Sequence, residues 1–136
     1  MHGDKSFWRF FAYMNLFVFF MMNLILADNF PLLFVGWEGV GLSSFLLIGF
    51  WYERKFEKST TSSAALKAFV VNRVGDVGFL LGMFLIYSTF GSLNFTEVFS
   101  RALTFNVPEY IFGFIAVFLL IGAVGKSAQI PLFVWL

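Results

Sequence analysis

The sequence has 136 residues, of which 60% are hydrophobic and only 12% are charged, and its formal net charge is +1. Its mean hydropathy of +0.84 excludes a soluble domain, which would need a much more polar surface. The small net charge gives no indication of a nucleic-acid partner, and the absence of cysteine excludes disulfides and cysteine-ligated metal sites within this sequence. We therefore predict an all-α, polytopic transmembrane helix bundle.

Four membrane spans are found when each one is required to contain about 20 mostly apolar residues. Asp28 and Asn29 form a predicted tight turn after the first span, and Pro31, which is favoured in the first turn of a helix, opens the second. A polar loop at 53–63 and a mixed segment at 91–108, with a predicted short interfacial helix, separate the later spans. The spans are predicted at about 10–27, 31–52, 64–90 and 109–136.

The distribution of lysine and arginine predicts how the chain is oriented in the membrane. Basic residues in short loops favour the cytoplasmic side, or the matrix side in an organelle. Most of them flank the first span or lie in the 53–63 loop, and only Arg101 lies on the opposite side. The residues on the first side are Lys5, Arg9, Arg54, Lys55 and Lys58. We therefore predict that the N-terminal flank and the 53–63 loop face the cytoplasm or matrix.

Two glycine-containing strings do not indicate a cofactor site. The string GWEGVG at 36–41 lacks the glycine spacing of a dinucleotide-binding turn and lies inside a predicted span. The string GKS at 125–127 lacks the upstream glycine of a phosphate-binding loop, because Leu120 occupies that position. His2 is expected to be solvated. We predict that this chain itself binds no cofactor and no metal ion.

Ionisable residues inside the predicted spans are the main functional signal, because a charge at the bilayer centre costs at least ~3 kcal/mol. They are Glu38, Lys67, Arg73, Asp76 and Lys126. Glu38 is surrounded by three glycines between positions 36 and 41, which allow a neighbouring helix to approach closely. Its carboxyl group either pairs with a neighbour to fix the packing or accepts a proton, which a moving cation nearby would load or unload.

The third span carries a candidate ion pair. Arg73 and Asp76 are spaced i, i+3, so they share a helix face and can pair. A structural ion pair is favoured for Arg73 because arginine stays charged in essentially any environment, whereas Asp76 could exchange partners with a cation on another helix. Lys67 either extends its side chain to the membrane surface or continues the polar stripe of Arg73.

Lys126 lies in a pattern that predicts a broken helix. It follows two glycines in an apolar setting and precedes Pro131, which cannot donate to the carbonyl of Ser127. Discontinuous helices with an ionisable group at the bilayer midplane recur at the ion sites of transporters, and a lysine held away from water can exchange its proton. Ser127 and Gln129 could hold water beside it. The alternative is a kinked helix in which a paired Lys126 has a structural role only.

Three strings resemble the large antiporter-like membrane subunits of respiratory complex I, known as subunit 5 or the L subunit. They are LADNFPLLFVGWEGVGLSSFLLIGFWY at 26–52, KAFVVNRVGDVGFLLG at 67–82 and GKSAQIPLFVWL at 125–136. The likeness covers nearly the whole chain and implies that it corresponds to the fourth to seventh transmembrane helices. We therefore expect 1–136 to be a fragment of one membrane domain, since Leu136 also ends the sequence inside an apolar run.

The resemblance implies roles for the ionisable residues. Glu38 corresponds to the essential glutamate of the fifth helix, and Lys126 to the proton-carrying lysine of the broken seventh helix. Arg73 and Asp76 resemble an ion pair on the sixth helix that modulates the interaction between that glutamate and that lysine. Lys67 matches a recurrent position whose role is less defined. These correspondences imply a proton relay formed by Glu38 and Lys126.

The implied function is proton translocation by a non-redox subunit of an NADH:quinone oxidoreductase. NADH, FMN, iron–sulfur clusters and quinone are then expected on partner subunits. The chain itself would contact other membrane subunits of the complex and the lipid bilayer. The implied location is the bacterial inner membrane or the mitochondrial inner membrane.

Two alternatives stay open, and one position departs from the family pattern. A subunit of a multisubunit Na⁺/H⁺ antiporter would resemble this chain around Lys126, but such proteins usually depart from GWEGVG and NRVGDVGF. A structural membrane scaffold would use the charges only to align helices. Phe133 occupies a position where many family members have a polar residue, often histidine, and a phenylalanine side chain has no group that could exchange a proton there.

Overall fold

The computed structural model describes residues 3–52, 55–56 and 59–136. In that part of the chain, five α-helices are joined by short connections, one of which contains two antiparallel two-residue strands. The helices are α1 (Phe7–Ile25), α2 (Phe30–Ile48), α3 (Thr61–Phe90), α4 (Phe95–Thr104) and α5 (Glu109–Lys126). The strands are β1 (Lys55–Phe56) and β2 (Ser59–Thr60), and a 3-10 turn covers Phe133–Trp135. The predicted fold class, an all-α bundle of apolar helices, is confirmed.

Four of the described helices, α1, α2, α3 and α5, are long and apolar enough to cross a membrane. They lie at the four predicted spans, and α4 is the short helix expected between the third and fourth. Helix α2 ends at Ile48 rather than at Tyr52. Helix α5 ends at Lys126, so only 18 residues of the span predicted at 109–136 are α-helical. The last span is therefore discontinuous, with its break directly after Lys126.

The turn between α1 and α2 sets how these two helices pack. The side chain of Asn29 accepts a hydrogen bond from the backbone N–H of Leu32, at 2.8 Å, and so caps α2. Pro31 lies in the first turn, where its missing N–H would have had no helical partner. A Cβ added to Gly36 would lie 2.6 Å from the backbone nitrogen of Leu24, so a side chain at Gly36 would hold α1 and α2 apart.

Helices α3 and α5 approach backbone to backbone near the midpoint of α3. A Cβ added to Gly75 would lie 3.0 Å from the Cα of Gly125 and 3.3 Å from the carbonyl oxygen of Ile121. Small residues permit this separation, which larger side chains would prevent. The end of α5, and with it Lys126, is therefore held halfway along α3.

Replacing Gly75 with alanine is expected to destabilise the full-length protein by about 1–3 kcal/mol, the usual cost of overpacking, because the new methyl group would meet backbone atoms of α5. Gly113 is a matched control in α5, because nothing lies within 4 Å of a Cβ added there. Gly113→Ala is expected to stabilise the helix by about 0.5–1 kcal/mol. Thermal denaturation in detergent measures both changes, and equal effects of the two substitutions would contradict the close packing.

The two ends of the bundle are formed by different connections. At one end, Trp51 Nε1 donates to Asp4 Oδ2 at 3.2 Å, which joins the N-terminal flank to the α2–α3 connection. At the other end, the backbone N–H of Phe95 donates to the carbonyl of Asp28 at 3.2 Å, which joins the α1–α2 turn to α4. Three residues discussed above lie outside the described part of the chain: His2, Arg54 and Lys58.

Helix α4 packs one face against the bundle and leaves Glu97 exposed. Val98 is buried against Ile86 and Phe90 of α3. Glu97 is exposed, and a hydrogen bond from Ser92 is the largest of the contributions that lower the pKa of its carboxyl group below the usual value. Glu97 therefore stays ionised at neutral pH, as expected for a helix that lies at the membrane surface.

Candidate functional site

Three ionisable side chains of α2 and α3 meet near the middle of the bundle. Arg73 forms an ion pair with Glu38 of the neighbouring helix. Arg73 Nε also lies 3.3 Å from Asp76 Oδ2, across the i, i+3 spacing that puts both residues on one face of α3. Glu38 is near the midpoint of α2, and Arg73 is near that of α3. One guanidinium group therefore bridges two carboxylates near the midpoints of both helices.

Asp76 is the most enclosed member of this group, with 3% of the residue exposed. Its Oδ1 accepts a hydrogen bond from Trp37 Nε1 at 2.7 Å, and its Oδ2 faces Arg73. The indole of Trp37 packs on the ring of Phe79, with the centroids 5.2 Å apart. A buried carboxylate requires such partners, because taking it from water without them is costly. Each oxygen of Asp76 thus has its own neighbour.

The end of α5 places Lys126 beside this group. Ala128 adopts a left-handed φ of 50°, and the N–H of Gln129 donates to the carbonyl of Val124 at 3.1 Å. This is the Schellman arrangement that terminates many helices. Lys126 is consequently the last residue of α5. The free carbonyl groups at a helix C-terminus carry partial negative charge and favour a cation there.

The Lys126 ammonium group points toward α2 and α3. A Cβ added to Gly41 would lie 2.5 Å from Lys126 Nζ and 3.0 Å from a terminal nitrogen of Arg73, so both cations flank the same point above this glycine. Lys126 Nζ also lies 5.8 Å from the centroid of the Trp37 ring. The atom is buried, and no group in the described part of the chain forms a hydrogen bond with it.

These contacts define a charged cluster, which consists of Glu38, Arg73, Asp76 and Lys126. It contains two cations and two anions, so it is electrically balanced when all four residues are ionised. The cations and anions do not pair one to one, because Arg73 contacts both carboxylates and Lys126 contacts neither. Such an arrangement can change its pairing with small side-chain movements, and a change of pairing alters how firmly Lys126 holds its proton.

Comparison with known proteins identifies the family. Residues 27–136 match the NADH:quinone oxidoreductase/Mrp antiporter transmembrane family, and this match includes the whole charged cluster. The chain belongs to this family. Its members therefore include proteins from the two transport classes that the sequence left open, the oxidoreductase subunits and the multisubunit antiporters.

Several family members are similar to the chain over its whole length. It is 52% identical over 136 residues to the NADH-quinone oxidoreductase subunit L of Campylobacter jejuni, and the matched region is 22% of that protein. It is 52% identical over 139 residues to the subunit L of Mycobacterium tuberculosis and 50% identical over 136 residues to the NADH-ubiquinone oxidoreductase chain 5 of Rhizopus stolonifer, covering 20% of each. The chain thus spans about a fifth of the length of these relatives.

Glu38 and Lys126 are the two residues of the predicted relay. Both belong to the charged cluster, but they do not pair directly. No ion pair between described residues joins them, and Arg73 holds Glu38 instead. The pairing of Arg73 with Asp76 that the i, i+3 spacing predicts is present. The structure thus places all four predicted site residues together, with Arg73 as the bridge. Their roles in proton transfer stay predictions.

The other sequence candidates lie away from the cluster. Lys67 is exposed on α3. Ser127 and Gln129 are exposed beyond the end of α5, and no hydrogen bond between described residues joins either side chain to Lys126. Phe133, where family members often have a polar residue, lies on the 3-10 turn and is 51% exposed.

Sequence reasoning did not identify three residues of the cluster's surroundings. Trp37 donates to Asp76, and Gly41 provides the space that Lys126 and Arg73 share. Asn72 is buried on α3, where its backbone oxygen lies 3.7 Å from a Cβ added to Gly125, and its Oδ1 is unpaired among the described residues. A signal existed for Trp37, since an indole inside a helix bundle usually finds an acceptor for its N–H. Gly41 was expected only to allow close helix packing.

Proposed function

We propose that this chain is part of a membrane subunit of an NADH:quinone oxidoreductase and that the subunit translocates protons through its charged cluster. The observation that supports this proposal best is the position of Lys126. Its ammonium group is buried at a helix end halfway through the bundle, beside an arginine that is shared by two carboxylates. Ionisable groups at this depth are costly, and their usual use is ion transport.

In the proposed mechanism, Lys126 carries the proton and Arg73 controls its surroundings. With Glu38 held by Arg73, Lys126 has no carboxylate partner and its proton can leave along a polar route. When Glu38 leaves Arg73 and turns toward Lys126, the charged ammonium is stabilised and a new proton is taken up. Asp76 keeps Arg73 paired during the exchange, so that the guanidinium is never left as an isolated buried charge.

The oxidoreductase assignment depends on the similar proteins. The relatives described above are named as subunit L or chain 5 of NADH:quinone oxidoreductases, at 50–52% identity over the whole chain. This chain would be a non-redox part of such a complex, and partner subunits would hold NADH, FMN, iron–sulfur clusters and quinone. Its own neighbours would be other membrane subunits and lipid. The match to a family that also includes antiporters makes Na⁺/H⁺ exchange the second candidate.

The proposed orientation puts the N-terminal flank and the 53–63 loop on the cytoplasmic or matrix side of the inner membrane. The hydrogen bond from Trp51 to Asp4 supports a common end for these two segments. Arg101 belongs to α4, at the opposite end with the α1–α2 turn. Of the described basic residues, Lys5 and Arg9 thus belong to the end of the bundle opposite Arg101, which supports this orientation.

NADH oxidation by membrane vesicles that contain the full-length subunit in its complex tests the proposal. We expect vesicle acidification that needs quinone and continues at an unchanged rate in buffer without Na⁺. Asp76→Asn is expected to lower acidification about tenfold with a normal amount of assembled complex, since a bond between a charged carboxylate and its partners is weakened. Proton movement that needs Na⁺ would favour the antiporter. If Asp76→Asn abolishes both the assembly of the complex and the acidification, a scaffold would be favoured.

A further inference from the structure

Trp37 lies between Lys126 and Asp76 of the charged cluster. Its Nε1 donates to Asp76 Oδ1 at 2.7 Å, and the centroid of its ring lies 5.8 Å from Lys126 Nζ. Phe79 supports the indole from α3, and Phe34 stacks on Phe79 at a centroid distance of 5.6 Å. These aromatic contacts restrict the rotation of the indole. Trp37 thus contacts α3 directly and lies beside the end of α5.

The indole N–H determines how Asp76 and Arg73 share their interactions. Tryptophan has one donor and no acceptor, so its N–H selects a carboxylate and cannot bind a guanidinium. Because Trp37 takes Oδ1, Arg73 is left with Oδ2, at 3.3 Å from its Nε and without hydrogen-bond geometry. The terminal nitrogen of Arg73 remains free to hold Glu38. Without the indole bond, Asp76 could rotate and draw Arg73 away from Glu38.

The indole ring acts on Lys126 in a different way. The face of an aromatic ring attracts a cation within about 6 Å of its centroid, and tryptophan is the strongest of the aromatic side chains in this respect. Lys126 Nζ lies within that distance and has no hydrogen-bond partner among the described residues. The ring therefore stabilises the ammonium in a place where neither Glu38 nor Asp76 forms an ion pair with it.

We propose that Trp37 is a positioning residue for the proton transfer described above: its N–H fixes Asp76 so that Arg73 stays shared with Glu38, and its ring holds Lys126 while that residue waits for a carboxylate. This inference rests on the proposed proton-translocating function. It goes beyond the four ionisable residues, because it assigns a part in the exchange to a neutral side chain.

Two substitutions separate the two interactions in the full-length subunit within its assembled complex. Trp37→Phe keeps an aromatic face and removes the donor, and it is expected to lower NADH-driven proton translocation about tenfold. Trp37→Leu removes both interactions and is expected to lower translocation by a further factor of about three. The matched control is Trp51→Phe, which removes another indole–carboxylate hydrogen bond, to Asp4, at the end of the bundle. The control is expected to translocate at the wild-type rate.

A spectroscopic measurement tests the contact itself. The ¹⁵N–¹H resonance of the Trp37 indole, assigned by its absence in Trp37→Phe, is expected to shift in Asp76→Asn and to stay unchanged in Glu97→Gln. An indole that does not donate to Asp76 would not respond to the loss of this charge. If the resonance does not move, the proposal is overturned.

The remaining outcomes distinguish the role of Trp37 from the proposed proton-translocating function. Wild-type translocation in Trp37→Phe, with a strong loss in Lys126→Ala, would overturn the role of Trp37 and leave the proposed function intact. Wild-type translocation in Lys126→Ala would overturn both. If Trp37→Leu does not assemble, the comparison of Trp37→Phe with Trp51→Phe decides the question alone.

Discussion

Replacement of Lys126 by alanine is expected to lower proton translocation by the full-length subunit on the order of 100-fold, the lower range of what a positioned proton-transfer group contributes. The complex is expected to assemble in normal amount. Alanine suits the end of a helix, and removal of Lys126 leaves the ion pairs of Arg73 with Glu38 and Asp76 in place. The measurement is acidification of vesicles during NADH oxidation, normalised to the amount of assembled complex.

Lys67→Ala is the control for this substitution. Lys67 is also a lysine of a membrane-spanning helix, but it is exposed and lies outside the charged cluster. We expect its replacement to leave translocation within about twofold of wild type, as for most surface substitutions. Equal losses in Lys67→Ala and Lys126→Ala would show that general damage to the bundle, rather than proton transfer, explains the result.

Replacement of Glu38 by glutamine is expected to have an effect of similar size, for a different reason. The amide keeps the shape of the side chain and an oxygen that can accept from Arg73, so the packing of α2 on α3 is preserved. The negative charge is lost, however, so the neutral side chain cannot stabilise the charged ammonium group of Lys126 when it turns toward it. Lys126 is then without its exchange partner, and we expect translocation to fall on the order of 100-fold.

Glu109→Gln provides the matched control for Glu38→Gln, because Glu109 is exposed in the first turn of α5. It is expected to translocate normally. Loss of the assembled complex in Glu38→Gln would indicate that the charge holds the helices together and has no separate role in transfer. Normal translocation in Glu38→Gln would contradict the proposed exchange of Glu38 between Arg73 and Lys126.

The fold and part of the site can be predicted from the sequence because both follow from local rules. The length of each apolar run predicts the spans, and the i, i+3 spacing predicts that Arg73 and Asp76 pair. The glycine and proline pattern around Lys126 predicts an interrupted helix. The interruption itself depends on Ala128, whose left-handed backbone ends α5 at Lys126 before Pro131 is reached.

The contacts between helices could not be predicted from local patterns. The position of Lys126 beside Gly41 depends on the packing of α5 against α3, and this packing depends on the meeting of Gly75 with Gly125. The sequence suggests an exchange between Glu38 and Lys126, but it does not show that Arg73 lies between them. It also gives no way to assign the indole of Trp37 to Asp76, because three other tryptophans carry the same donor.

Lys126→Arg tests most directly whether Lys126 itself carries the proton. Arginine keeps the positive charge and fits the same C-terminal position of α5, but it does not release its proton in proteins. We predict that the complex with Lys126→Arg assembles in normal amount and translocates as few protons per NADH oxidised as Lys126→Ala. A wild-type number of protons per NADH with Lys126→Arg would show that the charge alone is needed, and would contradict the proposed proton transfer through this lysine.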